Sequence, residues 1–369
     1  MHRLVVLDAT GGPAFVERLE RAWDSGDAVF PLDPRLPAPA ARRLVAAMRP
    51  DEPVDEGDAL VVATSGTTGE PKGVVLTHEA VRASARATSA RLEVDPTADV
   101  WLACLPLAHI GGLAVVTRTL HAGTRLVVHR RFDAHAVRRS VADDGVTLVA
   151  LVPTALRRID PSGFRRIVLG GSAPPPDQPP NVVATYGMTE TGSGVVYDGV
   201  PLAGVDIRVG PGRAGPDEIF VRGPMLLRRY RDGPDPKDAE GWLGTGDLGA
   251  WDEAARRLAV FGRADDVIIT GGENVWPAPV EAALSAHPKV AEVAVVGRPD
   301  PEWGQRVVAV VVPADPANPP SLDELRWLVG DRLASWAAPR ELELVDALPR
   351  TSLGKVRRRQ GVSKGIMTR

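Results

Sequence analysis

The 369 residues include a single cysteine, Cys104, so no intrachain disulfide can form. It lies in the apolar run Val100–Leu105 and reads as core rather than as a reactive thiol. This usage suits a reducing cytoplasm. No apolar run approaches membrane-spanning length. Met1–Asp8 turns polar too soon for a secretory leader. An excess of one charge is also missing: the net charge is −3, which leaves no nucleic-acid footprint. Lys, Tyr and Phe are scarce while Ala, Arg, Pro and Gly abound, a bias read as coding composition rather than function. No repeat at solenoid spacing occurs. What is present is 44% hydrophobic and 25% charged, ordinary for a globular chain long enough for two or more domains.

Apolar β-type runs alternate with helical patterns in the first two thirds of the chain. Strands are expected at 59–63, 125–129, 148–152, 166–169 and 182–184, and helices at 77–92 (Thr77 as N-cap), 110–122 and 133–144. This alternation predicts an α/β fold with parallel sheets covered by helices. Short strands at 206–209, 218–222 and 258–262 predict a small antiparallel β-subdomain. After Arg263 a compact α+β unit follows, with helices at 277–287 and 321–333 and strands at 290–297 and 306–313. The expected division is therefore 1–264 and 265–369. The basic tail 357–364 reads as a solvated end.

The richest stretch is Thr64-Ser-Gly-Thr-Thr-Gly-Glu-Pro-Lys-Gly73, directly after the apolar run 59–63. Glycines let the backbone approach closely. Hydroxyls, backbone N–H groups and Lys72 then converge on a point suited to a phosphate. The spacing is not the Walker pattern, since Lys72 is followed by Gly73. A polar surface turn is the plain alternative.

This loop resembles the signature of the adenylate-forming superfamily of acyl-CoA synthetases, luciferases and adenylation domains. Leu105–Gly112, Gly170–Pro174, Tyr186–Glu190, Thr245–Leu248, Gly262–Asp266, Gly271–Asn274 and Leu348–Lys355 match in the expected order, over roughly residues 55 to 360. In most of that superfamily a longer segment precedes the loop, which here begins at residue 64. The resemblance implies a large N-terminal domain and a small mobile C-terminal domain. It further implies ATP, Mg²⁺ and coenzyme A as ligands, and a carboxylic acid activated as its adenylate.

It also assigns roles. Thr64, Ser65, Gly66, Thr67, Thr68, Gly69 and Lys72 would hold the β- and γ-phosphates. Thr189 would lie near the α-phosphate, and Glu190 would ligate Mg²⁺. Gly171, Ser172, Ala173, Tyr186 and Gly187 would form the adenine slot, although Tyr186 could equally be core. Asp247 would accept from both ribose hydroxyls, with Arg263 as a further donor. His109, with Gly111 and Gly112, would stand at the mouth of the acyl pocket; a satisfied buried histidine is the plain alternative. Lys355 would bridge the carboxylate and α-phosphate in the first step, and Asp265 would be the hinge. Gly271, Gly272 and Trp303 would line a pantetheine channel. Trp336 and Arg340 would hold the CoA nucleotide, while Ala338 stands where some relatives carry a basic residue.

The stretches 187–193, 109–118 and 196–202 are most similar to the branch of acid–CoA ligases that act on o-succinylbenzoate in menaquinone biosynthesis, in its short actinobacterial form. That substrate has a second carboxylate. Arg118, Ser172 and Ser193 are candidates to hold it, and a solvated helix residue is an equal reading of Arg118. The alternatives are a ligase for another aryl or fatty acid, an adenylation domain loading a carrier protein, and a non-catalytic nucleotide-binding module. The expected partners are small molecules, with no nucleic acid and no membrane span; a homo-oligomer stays open.

Overall fold

The computed structural model describes residues 2–65, 71–171, 174, 178–212 and 215–349. Its first sheet begins with β1 (Leu4–Asp8), crosses over helix α1 (Pro13–Asp24) to β2 (Ala28–Leu32), and over α2 (Ala38–Met48) to β3 (Asp58–Ser65). β1, β2 and β3 are parallel neighbours, and β4 (Pro71–Thr77) returns antiparallel beside β3. The ends of the phosphate-loop motif thus lie on these two antiparallel strands, with Thr64 opposite Lys72. Thr77 caps α3 (His78–Arg91), its hydroxyl accepting from Ala80 N at 3.1 Å.

The second sheet is built from β5 (Val100–Ala103), α4 (Ile110–Ala122), β6 (Arg125–Val128), α5 (Ala134–Asp143), β7 (Leu148–Leu151), the short α6 (Pro153–Leu156), β8 (Arg166–Leu169) and β9 (Val182–Met188). Its parallel order is β6-β5-β7-β8-β9. β5, β7 and most of β8 are buried along their length, because helices cover both faces, and their sequences are unbroken apolar runs for that reason. β10 (Ser193–Tyr197) and β11 (Val200–Pro201) extend the sheet antiparallel. The parallel core expected from sequence therefore carries antiparallel margins in both sheets. Cys104 is buried after β5, and burial pushes its thiol up to about 12.

A four-stranded antiparallel sheet follows, formed by β12 (Asp206–Gly212), β13 (Gly215–Arg222), β15 (Leu243–Asp252) and β16 (Arg257–Arg263). Between β13 and β15 the two-residue β14 (Arg229–Tyr230) leaves this sheet and pairs with β4 of the first. A separate apolar cluster begins at Ile268. It is enclosed by β17 (Ile268–Thr270), β18 (Glu273–Val275), α7 (Pro277–Ser285), β19 (Val290–Asp300), β20 (Gly304–Pro313), α8 (Leu322–Arg332) and β21 (Glu341–Leu344). Ser321 and Glu324 form a reciprocal capping box at the start of α8.

β14 is fixed by an unusual anchor. Arg231 is only 5% exposed, and its guanidinium donates to the carbonyls of Met48, Arg49, Glu52 and Pro53 at 2.6–3.2 Å. Met48 and Arg49 are the last residue and the left-handed cap of α2, and Glu52 and Pro53 belong to the segment that follows. Arg231→Met strips the donors from this collar while keeping most of the side-chain volume. A stability loss of about 2–4 kcal/mol is expected in urea unfolding, the cost of leaving buried acceptors unpaired. A change below about 0.5 kcal/mol would show that the collar is satisfied by water.

Candidate active site

In a parallel sheet the carboxyl ends of all strands open on one edge, where ligands bind. Here that edge collects the predicted motifs. His109 follows β5 and sits at the N-terminal boundary of α4; Gly170 and Gly171 follow β8; Tyr186 and Gly187 lie near the carboxyl end of β9. Thr189 and Glu190 form a 3₁₀ turn directly after β9.

Asp247 in β15 faces Arg263 in β16 across the ladder. Its Oδ1 accepts from Arg263 Nη1 at 3.2 Å and its Oδ2 from the Tyr186 hydroxyl at 2.9 Å. Arg263 also donates to the Thr245 carbonyl at 2.8 Å, while the Asp247 N–H donates to the Thr245 hydroxyl at 3.1 Å. Burial, with the Asp247 carboxylate beside it, pushes the Tyr186 phenol well above its ordinary range. Burial acts downward on Arg263, but the Asp247 carboxylate more than offsets it and the guanidinium is raised. Tyr186 is thus tied to Asp247 as well as packed on the core.

A second cluster lies beside Lys72 of β4. The Glu190 carboxylate accepts from the Tyr230 hydroxyl at 3.1 Å, and the Lys72 ammonium sits 4.9 Å from the centre of the Tyr230 ring. Burial first, and the Glu190 carboxylate next, push the Tyr230 phenol up. Arg263 lies within electrostatic reach of both Glu190 and Tyr230. A lone carboxylate suits Mg²⁺, which accepts one or two carboxylates when phosphate oxygens and water complete its shell.

The third cluster is buried. Arg118 in α4 is 2% exposed, which rules out the solvated reading. Its guanidinium lies 4.9 Å from the Trp101 ring, and Nη2 donates to the Ser193 hydroxyl at 3.4 Å. Its Nε and Nη1 have no hydrogen-bond partner among the described residues. Burial pushes the guanidinium down from its ordinary value. At Gly112 the chain needs glycine for packing, since a Cβ there would lie 2.5 Å from the Pro106 carbonyl. Near His109 stands Asp33, at the carboxyl end of β2. Its hydrogen-bonded ion pair with Arg35 holds the carboxyl below the usual range against the effect of burial, and His109 adds to the lowering.

In the C-terminal unit Trp303 packs against Gly271, where a Cβ would fall 2.7 Å from the ring. The space over Gly271 is therefore filled by Trp303, while Gly272, at φ +85°, is open. Arg340 stacks on Trp303 at 3.9 Å. Trp336 is 45% exposed, and Ala338 is buried in the apolar cluster, where a basic side chain would not fit. Asp265 lies in a 3₁₀ turn between β16 and β17. Gly66, Thr67, Thr68, Gly69, Ser172, Ala173 and Lys355 lie outside the described residues.

Sequence reasoning missed Tyr230 and Arg231. Both sit in the run Leu226-Leu-Arg-Arg-Tyr-Arg231, where the only hint was an aromatic inside a basic stretch.

Residues 6–231 match the AMP-binding enzyme family, and residues 279–355 match the AMP-binding enzyme C-terminal domain. The chain belongs to the AMP-binding enzyme family. It is 42% identical over 351 residues to a protein of Mycobacterium tuberculosis named "Probable 2-succinylbenzoate--CoA ligase", covering 88% of this chain and 90% of that one. The fold is similar to o-succinylbenzoate CoA synthetase from Bacillus subtilis in complex with the acyl-adenylate intermediate OSB-AMP. That match has a TM-score of 0.76 and 32% identity, and covers 99% of this chain and 84% of the other. The same synthetase in complex with ATP and magnesium ion aligns with a TM-score of 0.74 at 32% identity, over 93% of this chain and 81% of the other.

Asp247→Ala removes the acceptor shared by Tyr186 and Arg263. Calorimetry is expected to show AMP binding weakened about 10-fold or more, the scale of one charge-assisted hydrogen bond lost. Unaltered affinity would remove Asp247 from the nucleotide site.

Proposed function

We propose that this protein is an AMP-forming acid–CoA ligase whose acid is o-succinylbenzoate. The observation that carries the choice of acid is Arg118. A buried guanidinium with two donor nitrogens unpaired among the described residues is costly, and an anion is its natural complement. A fatty or simple aryl acid spends its single carboxylate on the reaction and brings no second anion. o-Succinylbenzoate does, and Ser193 beside Arg118 offers it a hydroxyl.

A carboxylate is a poor acyl donor because oxide is its leaving group. In the first step its oxygen forms a bond to the α-phosphorus of ATP and the bond to pyrophosphate breaks. In the second the CoA thiolate attacks the acyl carbon and AMP leaves. The residues mainly position and neutralise charge. Thr64, Ser65 and Lys72 would hold the terminal phosphates with the loop between them, and Thr189 would lie near the α-phosphate. Glu190 would hold Mg²⁺, which supplies charge neutralisation along the triphosphate. Asp247 has acceptor capacity left for ribose hydroxyls beside its bonds to Tyr186 and Arg263. Lys355 would stabilise charge at phosphorus. A boundary at 264/265 with Asp265 as hinge would let Gly272 and Trp303 face the adenylate in the second step. A cytoplasmic site of action fits the buried thiol, and among the described residues no helix is long and apolar enough to cross a membrane.

ATP–pyrophosphate exchange tests the acid. The wild type is expected to exchange strongly with o-succinylbenzoate and weakly with octanoate or benzoate. Arg118→Met should raise the KM for o-succinylbenzoate about 10²-fold or more with ATP affinity unchanged, because sites built on polar pairing discriminate strongly. Comparable kcat/KM for octanoate and o-succinylbenzoate in the wild type would refute the substrate.

Lys355→Ala should slow adenylate formation about 10²-fold or more, the scale of one electrostatic stabiliser. Thioester formation from pre-made acyl-AMP should be largely spared. Equal losses in both half-reactions would contradict its role.

A further inference from the structure

Tyr230 belongs to none of the motifs that carry the proposed chemistry, yet it touches two of their residues. Its hydroxyl donates to Glu190 Oε1 at 3.1 Å, and its ring faces the Lys72 ammonium at 4.9 Å. These two side chains come from different sheets, Lys72 from β4 and Glu190 from the turn after β9. The backbone around Tyr230 ties both. Leu227 N–H donates to the Glu190 carbonyl at 2.8 Å; Arg228 N–H donates to the Val75 carbonyl at 2.8 Å; Arg231 N–H donates to the Gly73 carbonyl at 2.7 Å. Residues 227–231 therefore form a strap across the gap between the phosphate hairpin and the acidic turn.

The strap is held from behind. Arg231 fills the carbonyl collar at the end of α2. Arg228 pairs with the buried Asp58 at 2.9 Å, and Arg229 with Asp55 at 2.9 Å. Gly73 makes room for it, since a Cβ there would lie 2.9 Å from Arg231 Cβ and 2.8 Å from Met48 Sδ. Tyr230 thus projects from a rigid support, and rigid supporting groups are what hold a charged side chain in one geometry.

We propose that Tyr230 is a positioning residue for the ATP site: its hydroxyl orients the Glu190 carboxylate toward the divalent cation, and its ring face seats the Lys72 ammonium at the terminal phosphates. A hydrogen bond to one carboxylate oxygen fixes the rotation of the group and directs the other oxygen. A cation over an aromatic face keeps its N–H donors free for an anion. The two roles separate by chemistry, because phenylalanine keeps the ring and loses only the hydroxyl. This inference rests on the reading that the site holds ATP with Mg²⁺.

The test is ATP binding to the full chain by calorimetry, with Mg²⁺ titrated and again in EDTA. Tyr230→Phe is expected to raise the Mg²⁺ concentration for half-maximal enhancement of binding about five-fold or more, the scale of one hydrogen bond to a charged group. Its ATP affinity in EDTA should equal that of the wild type. Tyr230→Leu should shift the Mg²⁺ dependence equally and also weaken ATP in EDTA about three-fold or more, as the seat of Lys72 is lost. Superimposable Mg²⁺ curves for Tyr230→Phe and wild type would overturn the proposal. So would equal losses in EDTA for both variants, which would mark a merely structural residue. The readout is binding, so a wild type inactive with every acid would count against the proposed ligase and leave this comparison standing.

Discussion

The parallel ladder β6-β5-β7-β8-β9 is the constraint on which the site depends. Parallel register forces every strand to end on the same edge, and each crossover helix must start there. His109, Gly171, Tyr186 and Glu190 are separated by up to 81 residues in sequence, yet they meet because strands β5, β8 and β9 deliver them to one line. The antiparallel β15 and β16 add a second carboxylate and a guanidinium in ladder register.

Charge balance explains much of the detail. Asp247 and Arg263 neutralise one another and anchor Tyr186. Glu190 and Lys72 do not need to touch, because Tyr230 stands between them with a donor for one and a ring face for the other. Arg118 is the exception. It is buried, only partly paired, and has an aromatic ring beneath it. A buried guanidinium so placed would gain from an anionic ligand, which is the basis for proposing a dicarboxylate.

Most strands and helices from residue 59 onward were legible, because buried strands are uninterrupted apolar runs and Thr77, Asp133 and Ser321 mark helix starts with side chains that accept from the backbone. The βα units over residues 4–48 went unassigned, although Pro13 with Phe15, Leu19 and Ala22 marks a helix by its spacing. The nucleotide motifs were legible because their glycines and hydroxyls recur in a fixed order along the sequence. The environment of Arg118 was not, since burial of a charged residue depends on β10 and Trp101, which are distant in sequence. Tyr230 and Arg231 were hidden for the same reason: their partners lie at residues 48–53, 72 and 190, and a two-residue strand has no periodicity to read.

A single-turnover reaction without CoA tests the central claim most directly. Excess protein incubated with o-succinylbenzoate, ATP and Mg²⁺ is quenched, and the products are separated by chromatography and mass spectrometry. A burst of o-succinylbenzoyl-AMP matched by an equal amount of pyrophosphate, converted to thioester and AMP when CoA is added, is the predicted result. ADP and phosphate in place of AMP and pyrophosphate, or no adenylate from a protein that binds ATP, would contradict it.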